Sequence, residues 1–522
     1  MKYTLTVLLG FLLFGDLTAQ TTTYSLGTSA ILVSPSAGSN SVVLAVSPET
    51  GAWASSANAT WLHVGGPFQS GEGSTNIVFS VDANLGGTRS GTLTIADQTL
   101  TITQAGSTYV LAETVGTLVS TGLSLPYGIG VDNSGNVYIA DYEHNAIKEW
   151  NAANNSVATL VSTGINGPFG VAVDTAGNIY SENTAQSTIV EWIAANSNLI
   201  TLVSSGLSDP AGLAVDGSDN VYIASPFQNA VKEWMSANSN VTSLAASGID
   251  DPYGVAVDAA GNVYIADTFH NAVDKWTPGS TNVTTLASTG LGQLYGVAVD
   301  GSGNVYIADT VHSLIKEWMA ANNKIVTLVS SGLNNPFGVS VNGAGNVYFT
   351  DTYNNAVKEL PYAFVDPTGT LEGPAAGSDQ LPTVLPATIN LLTPFAPTSD
   401  QSWLTITGVT NGVVGFSYAA NSGPARKAHI SLLGQTISII QGLIGTPPTL
   451  SSVQALGSGA IQFSFTNNPS ASFTVLSTTD ISLPLANWTV LGSATNVSSD
   501  LFRFTSQPTT GDQQRYFIVR SP

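Results

Sequence analysis

Gly296-Val297-Ala298-Val299-Asp300, then Gly303-Asn304-Val305-Tyr306-Ile307-Ala308-Asp309, then Leu314-Ile315-Lys316-Glu317-Trp318 is the stretch that decides the fold. With variation it occurs six times. Its first glycines, Gly128, Gly170, Gly212, Gly254, Gly296 and Gly338, are spaced 42 residues apart without insertion. A unit of this size cannot bury its own apolar face, so it must stack on copies of itself. Six strand-rich copies that close on themselves make a propeller. Each copy predicts four strands, a to d. In the first, a is Ile129–Val131, b is Val137–Ala140, c is Ala146–Trp150 and d is Ala158–Ser162, with Asn133-Ser134-Gly135-Asn136 turning a into b. The sixth copy reaches strand c (Ala356–Leu360), meets Pro361 and has no strand d. Gly116-Thr117-Leu118-Val119-Ser120, ahead of the first copy, repeats strand d and is expected to complete the last blade. Trp150, Trp192, Trp234, Trp276 and Trp318 end five of the c strands, and a tyrosine sits in every b strand, as packing residues would.

The 522 residues are too many for one ordinary domain. Only 9% are charged, and glycine and the small polar residues abound, a profile that fits an all-β protein rich in turns. No cysteine is present, so neither disulfides nor thiol chemistry enter. Net charge is −21, and residues 109–364 hold 22 acids against 6 lysines and no arginine. That surface repels phosphate backbones and anionic bilayers, which argues against nucleic-acid partners. The N-terminus reads as a secretory signal: Lys2, an apolar run over Leu5–Phe14, and Leu17-Thr18-Ala19 before Gln20 as a cleavage site. The run is too short to span a bilayer, and no membrane span is expected elsewhere.

The repeats resemble the NHL family through Gly-Val-Ala-Val-Asp, Gly-Asn-Val-Tyr-Ile-Ala-Asp-Thr and Asn-Ala-Val, over about half of the chain. Such propellers include scaffolds, ligand sensors and some enzymes, streptogramin lyases among them. On either side lie segments that repeat each other. Trp61-Leu62 matches Trp403-Leu404, and Asn84, Arg89 and Gln104 match Asn421, Arg426 and Gln441 with the same spacings. These two segments resemble BACON domains, immunoglobulin-like modules, and the resemblance implies carbohydrate or mucin binding. The last segment resembles a fibronectin type III sandwich. The expected division is a signal peptide over 1–19, BACON-like sandwiches over 24–107 and 366–442, the propeller over 109–364, and the fibronectin-like unit over 446–522.

In a propeller the d–a and b–c loops share one face, around the channel mouth. Two residue sets are expected there: Tyr127, Phe169, Tyr253, Tyr295 and Phe337 just before strand a, and Asp141, Asp267, Asp309 and Asp351 at the end of strand b. Aromatic rings stack on sugars, and carboxylates accept hydroxyl hydrogen bonds or hold hard cations. These nine are the candidate ligand-binding residues. The structural alternative carries more weight: the aspartates bond loop amides and the aromatics seal the mouth, because repeats reuse structural residues first. His144, His270 and His312 each follow a strand-b aspartate by three residues. His270 and His312, on adjacent blades, are the candidate acid–base or metal pair. Asp132 and its equivalents in strand a are expected to cap the hairpin amides. Trp61 and Trp403 are either sugar platforms or sandwich core residues. Arg89 and Arg426 are expected to pair with a carboxylate or carbonyl.

The sequence therefore predicts an all-β chain: a six-bladed β-propeller flanked by immunoglobulin-like β-sandwich domains. It is expected to be exported, monomeric and non-catalytic, and to bind polysaccharide or a cell-surface protein through the propeller face and the sandwiches. No cofactor is expected, a divalent cation being the one addition the His and Asp set would accommodate. The alternatives are a metal-assisted lyase or lactonase, as the resemblance to streptogramin lyases implies, and a protein-interaction module.

Overall fold

A computed structural model describes residues 21–442, apart from 246, and 449–520, apart from 458, 467–472, 499–500 and 508–513. The signal-peptide expectation over 1–19 lies outside the described residues. The described chain is built of strands with a few 3-10 turns, and none of its helices is long and apolar enough to cross a membrane.

Six four-stranded antiparallel sheets fill the middle of the chain. In the first, a is Pro126–Val131, b is Val137–Asp141, c is Ala146–Asn151 and d is Ser156–Val161. Sheets two to five repeat the order a-b-c-d. The sixth takes its a, b and c strands from Val339–Val341, Val347–Asp351 and Ala356–Leu360, and its outer strand is Gly116–Val119, paired antiparallel to Ala356–Leu360. Each a strand touches the a strand of the next sheet, and the sixth touches the first, so the sheets form a closed ring. Strand b extends one residue beyond its predicted end in the first sheet, because Asp141 still pairs with Ala146 and Pro126.

The inner strands approach closely enough to require glycine. A Cβ on Gly128 would lie 2.5 Å from the Phe169 carbonyl oxygen, and one on Gly338 would lie 2.5 Å from that of Tyr127. Between sheets, Tyr138, Ala140, Ile147 and Val161 of the first pack on Val171 and Ile179 of the second, and like clusters fill the other seams. Burial of these aliphatic faces, worth roughly 25 cal/mol per Å², is what holds repeat to repeat. In the a–b turn Asp132 Oδ1 accepts from the amides of Ser134 and Asn136, while Oδ2 accepts from Asn136 Nδ2 and Tyr138 Oη. Asp174, Asp216, Asp258 and Asp300 repeat this cap.

Ahead of the ring, a four-stranded and a five-stranded sheet over Thr23–Gln104 enclose Val42, Leu44, Ile77, Phe79, Leu93, Leu100 and Ile102. After the ring, sheets of four and three strands over Thr370–Gln441 enclose Phe416, Ile430, Ile437 and Ile439. A last pair of sheets gathers Phe463, Phe465, Phe473 and Phe502. Val110–Leu111 and Phe364–Val365, entering and leaving the ring, pair with each other.

Both flanking units dock on the a–b and c–d turns. The first sandwich meets the a–b turn of sheet five: the Val43 amide donates to the Gly301 carbonyl at 3.0 Å, and Ser41 Oγ donates to that of Ser302 at 2.7 Å. The second meets the c–d turn of sheet one, where Asn155 Nδ2 donates to the Thr393 carbonyl at 2.9 Å. The d–a and b–c loops lie at the opposite ends of the same strands, so neither of these contacts covers them.

Candidate functional site: the face left open by the sandwiches

The d–a loops bring Tyr127, Phe169, Tyr253, Tyr295 and Phe337 together at the mouth of the ring. All five are half-buried and pack on one another, with Tyr127 4.7 Å from Phe169 and 4.8 Å from Phe337, and Tyr295 4.7 Å from Tyr253 and 4.4 Å from Phe337 (ring centroids). Below them Ile129, Val171, Leu213, Val255, Val297 and Val339 line two small spaces of about 60 and 170 Å³. The channel is an apolar plug, capped by an aromatic floor.

The strand-b aspartates do not join this floor. Asp141, Asp267, Asp309 and Asp351 are all fully buried, and their oxygens serve the loops. Each accepts a backbone amide from the preceding d–a loop: Ser124 to Asp141, Asp250 to Asp267, Gly292 to Asp309 and Asn334 to Asp351. The expected arc of carboxylates beside aromatics is therefore replaced by aromatics alone. The physical reason is the i→i+3 loop geometry, which turns the carboxylates inward onto loop donors.

Those donors include the histidines. His144 Nδ1 lies 2.7 Å from Asp141, His270 Nδ1 2.8 Å from Asp267, and His312 Nδ1 2.9 Å from Asp309. About half of each histidine side chain is exposed. In three sheets a strand-c lysine completes the cluster: Lys148, Lys316 and Lys358 each place Nζ 2.6 Å from the aspartate of their own sheet. Sheet four has no such lysine, and there the hydrogen bond to Asp267 and that carboxylate's charge raise the His270 pKa above its ordinary value. His270 and His312 thus belong to separate Asp–His clips, one per sheet. Among the described residues no three His, Asp or Glu side chains converge as a ready-made metal cluster.

Two features escaped the sequence reading. One is a rim. Two residues beyond strand b, sheets three to six expose Phe227, Phe269, Val311 and Tyr353, between half and three-quarters accessible. The signal was present as apolar residues at one repeat position, where sheets one and two carry Glu143 and Ala185. The other is Glu182, where four sheets carry alanine. It is fully buried, its Oε2 accepts the Gly170 amide at 2.6 Å, and its Oε1 has no partner. Burial raises its pKa to about 8, so it is a neutral acid beside the channel at pH 7.

The sandwich tryptophans are occupied. Arg89 lies over Trp61 at 4.5 Å from the ring centroid, donates from Nε to Gln104 at 2.9 Å, and reaches the Asp82 and Ala83 carbonyls. Arg426 does the same over Trp403 at 4.2 Å, with Gln441 and the Ala419 and Ala420 carbonyls. A guanidinium covers one face of each ring where a sugar would have to stack.

Residues 51–105 match the BACON family, described as "Putative binding domain, N-terminal". No curated protein matches the chain. Among solved structures, a protein of unknown function from Bacteroides thetaiotaomicron is 16% identical, over 66% of this chain and 98% of that one, with a TM-score of 0.44. A gluconolactonase from Xanthomonas campestris is 14% identical over 48% and 89%, with a TM-score of 0.43. A virginiamycin B lyase from Staphylococcus aureus is 14% identical over 48% and 88%, with a TM-score of 0.37.

Proposed function

We propose that this chain is an exported, non-catalytic binding protein: a six-bladed β-propeller of NHL type, flanked by two BACON-like sandwiches and a fibronectin-like unit. In this reading the open face of the ring takes a glycan of the cell surface or matrix. The observation that carries it is the continuous aromatic floor of Tyr127, Phe169, Tyr253, Tyr295 and Phe337, with Phe227, Phe269, Val311 and Tyr353 exposed around it. Exposed apolar patches of this kind mark interaction sites, and aromatic planes stack on sugar faces. The sandwiches act as docked supports that hold the ring's other side, and weak contacts from several units of one chain add avidity.

A glycan array probed with the full chain and with a Phe227→Ser/Phe269→Ser variant tests this. Binding to a defined glycan class, weakened at least tenfold in the variant, is expected. The absence of glycan binding, or equal binding by the variant, overturns it. In the latter cases a proteinaceous partner for the same face becomes the better reading.

A second reading follows from the Asp–His clips. With Nδ1 held by a buried aspartate, Nε2 of His270 is presented on a half-exposed ring, as an acid–base group of a metal-assisted lyase or lactonase would be. A His270→Ala/His312→Ala variant that matches the parent in every activity and in metal content removes this reading.

A further inference from the structure

In sheets one, five and six, a lysine ammonium fills the space between the strand-b aspartate and a d–a loop carbonyl. Lys358 Nζ, for example, lies 2.6 Å from Asp351 and 2.6 Å from the Gly332 carbonyl. Lys148 and Lys316 reach the Gly122 and Gly290 carbonyls in the same way. Each position therefore holds one positive charge between a buried carboxylate and a carbonyl oxygen.

Sheet four breaks the pattern by exchanging charges. Its strand c reads Val273-Asp274-Lys275-Trp276, where sheet five reads Ile315-Lys316-Glu317-Trp318. Lys275 turns to the other side of the sheet, its Nζ 5.2 Å from the Tyr264 ring centroid. Asp274 takes the lysine's position, opposite Ile265 as Lys316 is opposite Ile307. It is 1% exposed, and its Oδ1 has no hydrogen-bond partner. No described donor replaces the ammonium at the corresponding Gly248 carbonyl.

We propose that sheet four binds a hard divalent cation of the calcium class in this space, between the carboxylates of Asp267 and Asp274 and the carbonyl of Gly248. Every ligand offered is an oxygen, which selects calcium-like ions over soft metals. In sheet five His312 and Lys316 both stand on Asp309, whereas in sheet four His270 stands on Asp267 alone and a second carboxylate occupies the lysine's place. Water from the loop side completes the 6–8 oxygens that calcium takes. His270 stands on Asp267 at the loop side, and Asp250 faces the same carboxylate through its backbone amide. Burial raises the Asp274 pKa to about 6, as expected of a carboxyl left without a counter-charge. The ion would tie strand b, strand c and the d–a loop together two residues before Phe269 in the chain, and so would set the stiffness of that part of the proposed binding rim.

Calcium binding to the full chain is to be measured by titration calorimetry at pH 7.5 after chelator treatment. The parent is compared with Asp274→Lys, which rebuilds the sister-sheet cluster, and with the near-isosteric Asp274→Asn. One site with a dissociation constant of roughly 10⁻⁴–10⁻³ M, the range of extracellular calcium modules, is expected in the parent. Both variants should lose it, and calcium should raise the melting temperature of the parent alone. Overturning results are equal calcium binding in all three proteins, or no binding in any. The second result leaves the glycan-array outcome for the open face unaffected.

Discussion

Sheets four and five occupy adjacent places in one ring, share the strand sequence Val-Tyr-Ile-Ala-Asp and carry the same Asp–His clip. In sheet five the buried carboxylate meets Lys316 at 2.6 Å, and charge balances inside the repeat. In sheet four the lysine's place is taken by Asp274, and the second carboxylate has no ammonium beside it. The lesson is that in a repeat protein function is best sought where one copy departs from a role the others satisfy. Uniform features, such as the Asp132-type turn caps, are already explained by folding.

The comparison can be broken most severely at its balanced member. Lys316→Ala leaves Asp309 fully buried without its ammonium. Removing one partner of a buried pair costs about 3–5 kcal/mol. Denaturant unfolding followed by tryptophan fluorescence should show the ring destabilised by that amount. A loss below about 1 kcal/mol would mean that His312 alone satisfies Asp309.

A second departure, Glu182, sharpens the comparison because it carries no counter-charge. Its pKa is raised from 4.5 in the unfolded chain to about 8 in the folded one. The folded state thus binds the extra proton, and the stability this gives is full below about pH 4.5 and lost as pH rises towards 8. Glu182→Ala, the residue of four sister sheets, should stabilise the ring by roughly 2–3 kcal/mol at pH 7 and by little at pH 4. A pH-independent difference between variant and parent would show that Glu182 is ionised in the fold.

The smallest expected effect lies in the sandwiches, whose two copies agree where the two sheets differ. Arg89→Ala removes a guanidinium stacked on Trp61 and three hydrogen bonds. It should cost the first sandwich about 1–2 kcal/mol, and Arg426→Ala should cost the second a similar amount. If either variant abolishes glycan binding while leaving the melting temperature unchanged, the arginine is a ligand residue and the clamp reading is wrong.

Much of this was legible in the chain. The period of 42 residues and the displaced copy of strand d at Gly116–Val119 carried the ring's order and its closing strand. The paired Asn, Arg and Gln spacings exposed the twin sandwiches. The candidate site was legible only in part. The aromatic floor could be placed from its position before strand a. The aspartates were put on the correct loops, and the favoured alternative had them bonding turn amides of those loops; the amides instead come from the preceding d–a loop, a partner that no local pattern names. Phe227, Phe269, Val311 and Tyr353 were visible as letters, yet exposure is a property of what packs on a residue.

The chain alone carried the all-β class, the repeated a–b–c–d strand order and the segment that pairs with the last strand c, since strand period, turn residues and repeat spacing are local and act through short-range sterics and apolar burial. Only the tertiary structure decided which charges are satisfied, which face the sandwiches leave open and where a lone carboxylate is buried. Those outcomes depend on groups tens to hundreds of residues apart: Asp351 is answered by the Asn334 amide from the preceding loop, and Gly301 by Val43 of another unit. Electrostatic balance is settled by such neighbours, and no local pattern encodes them.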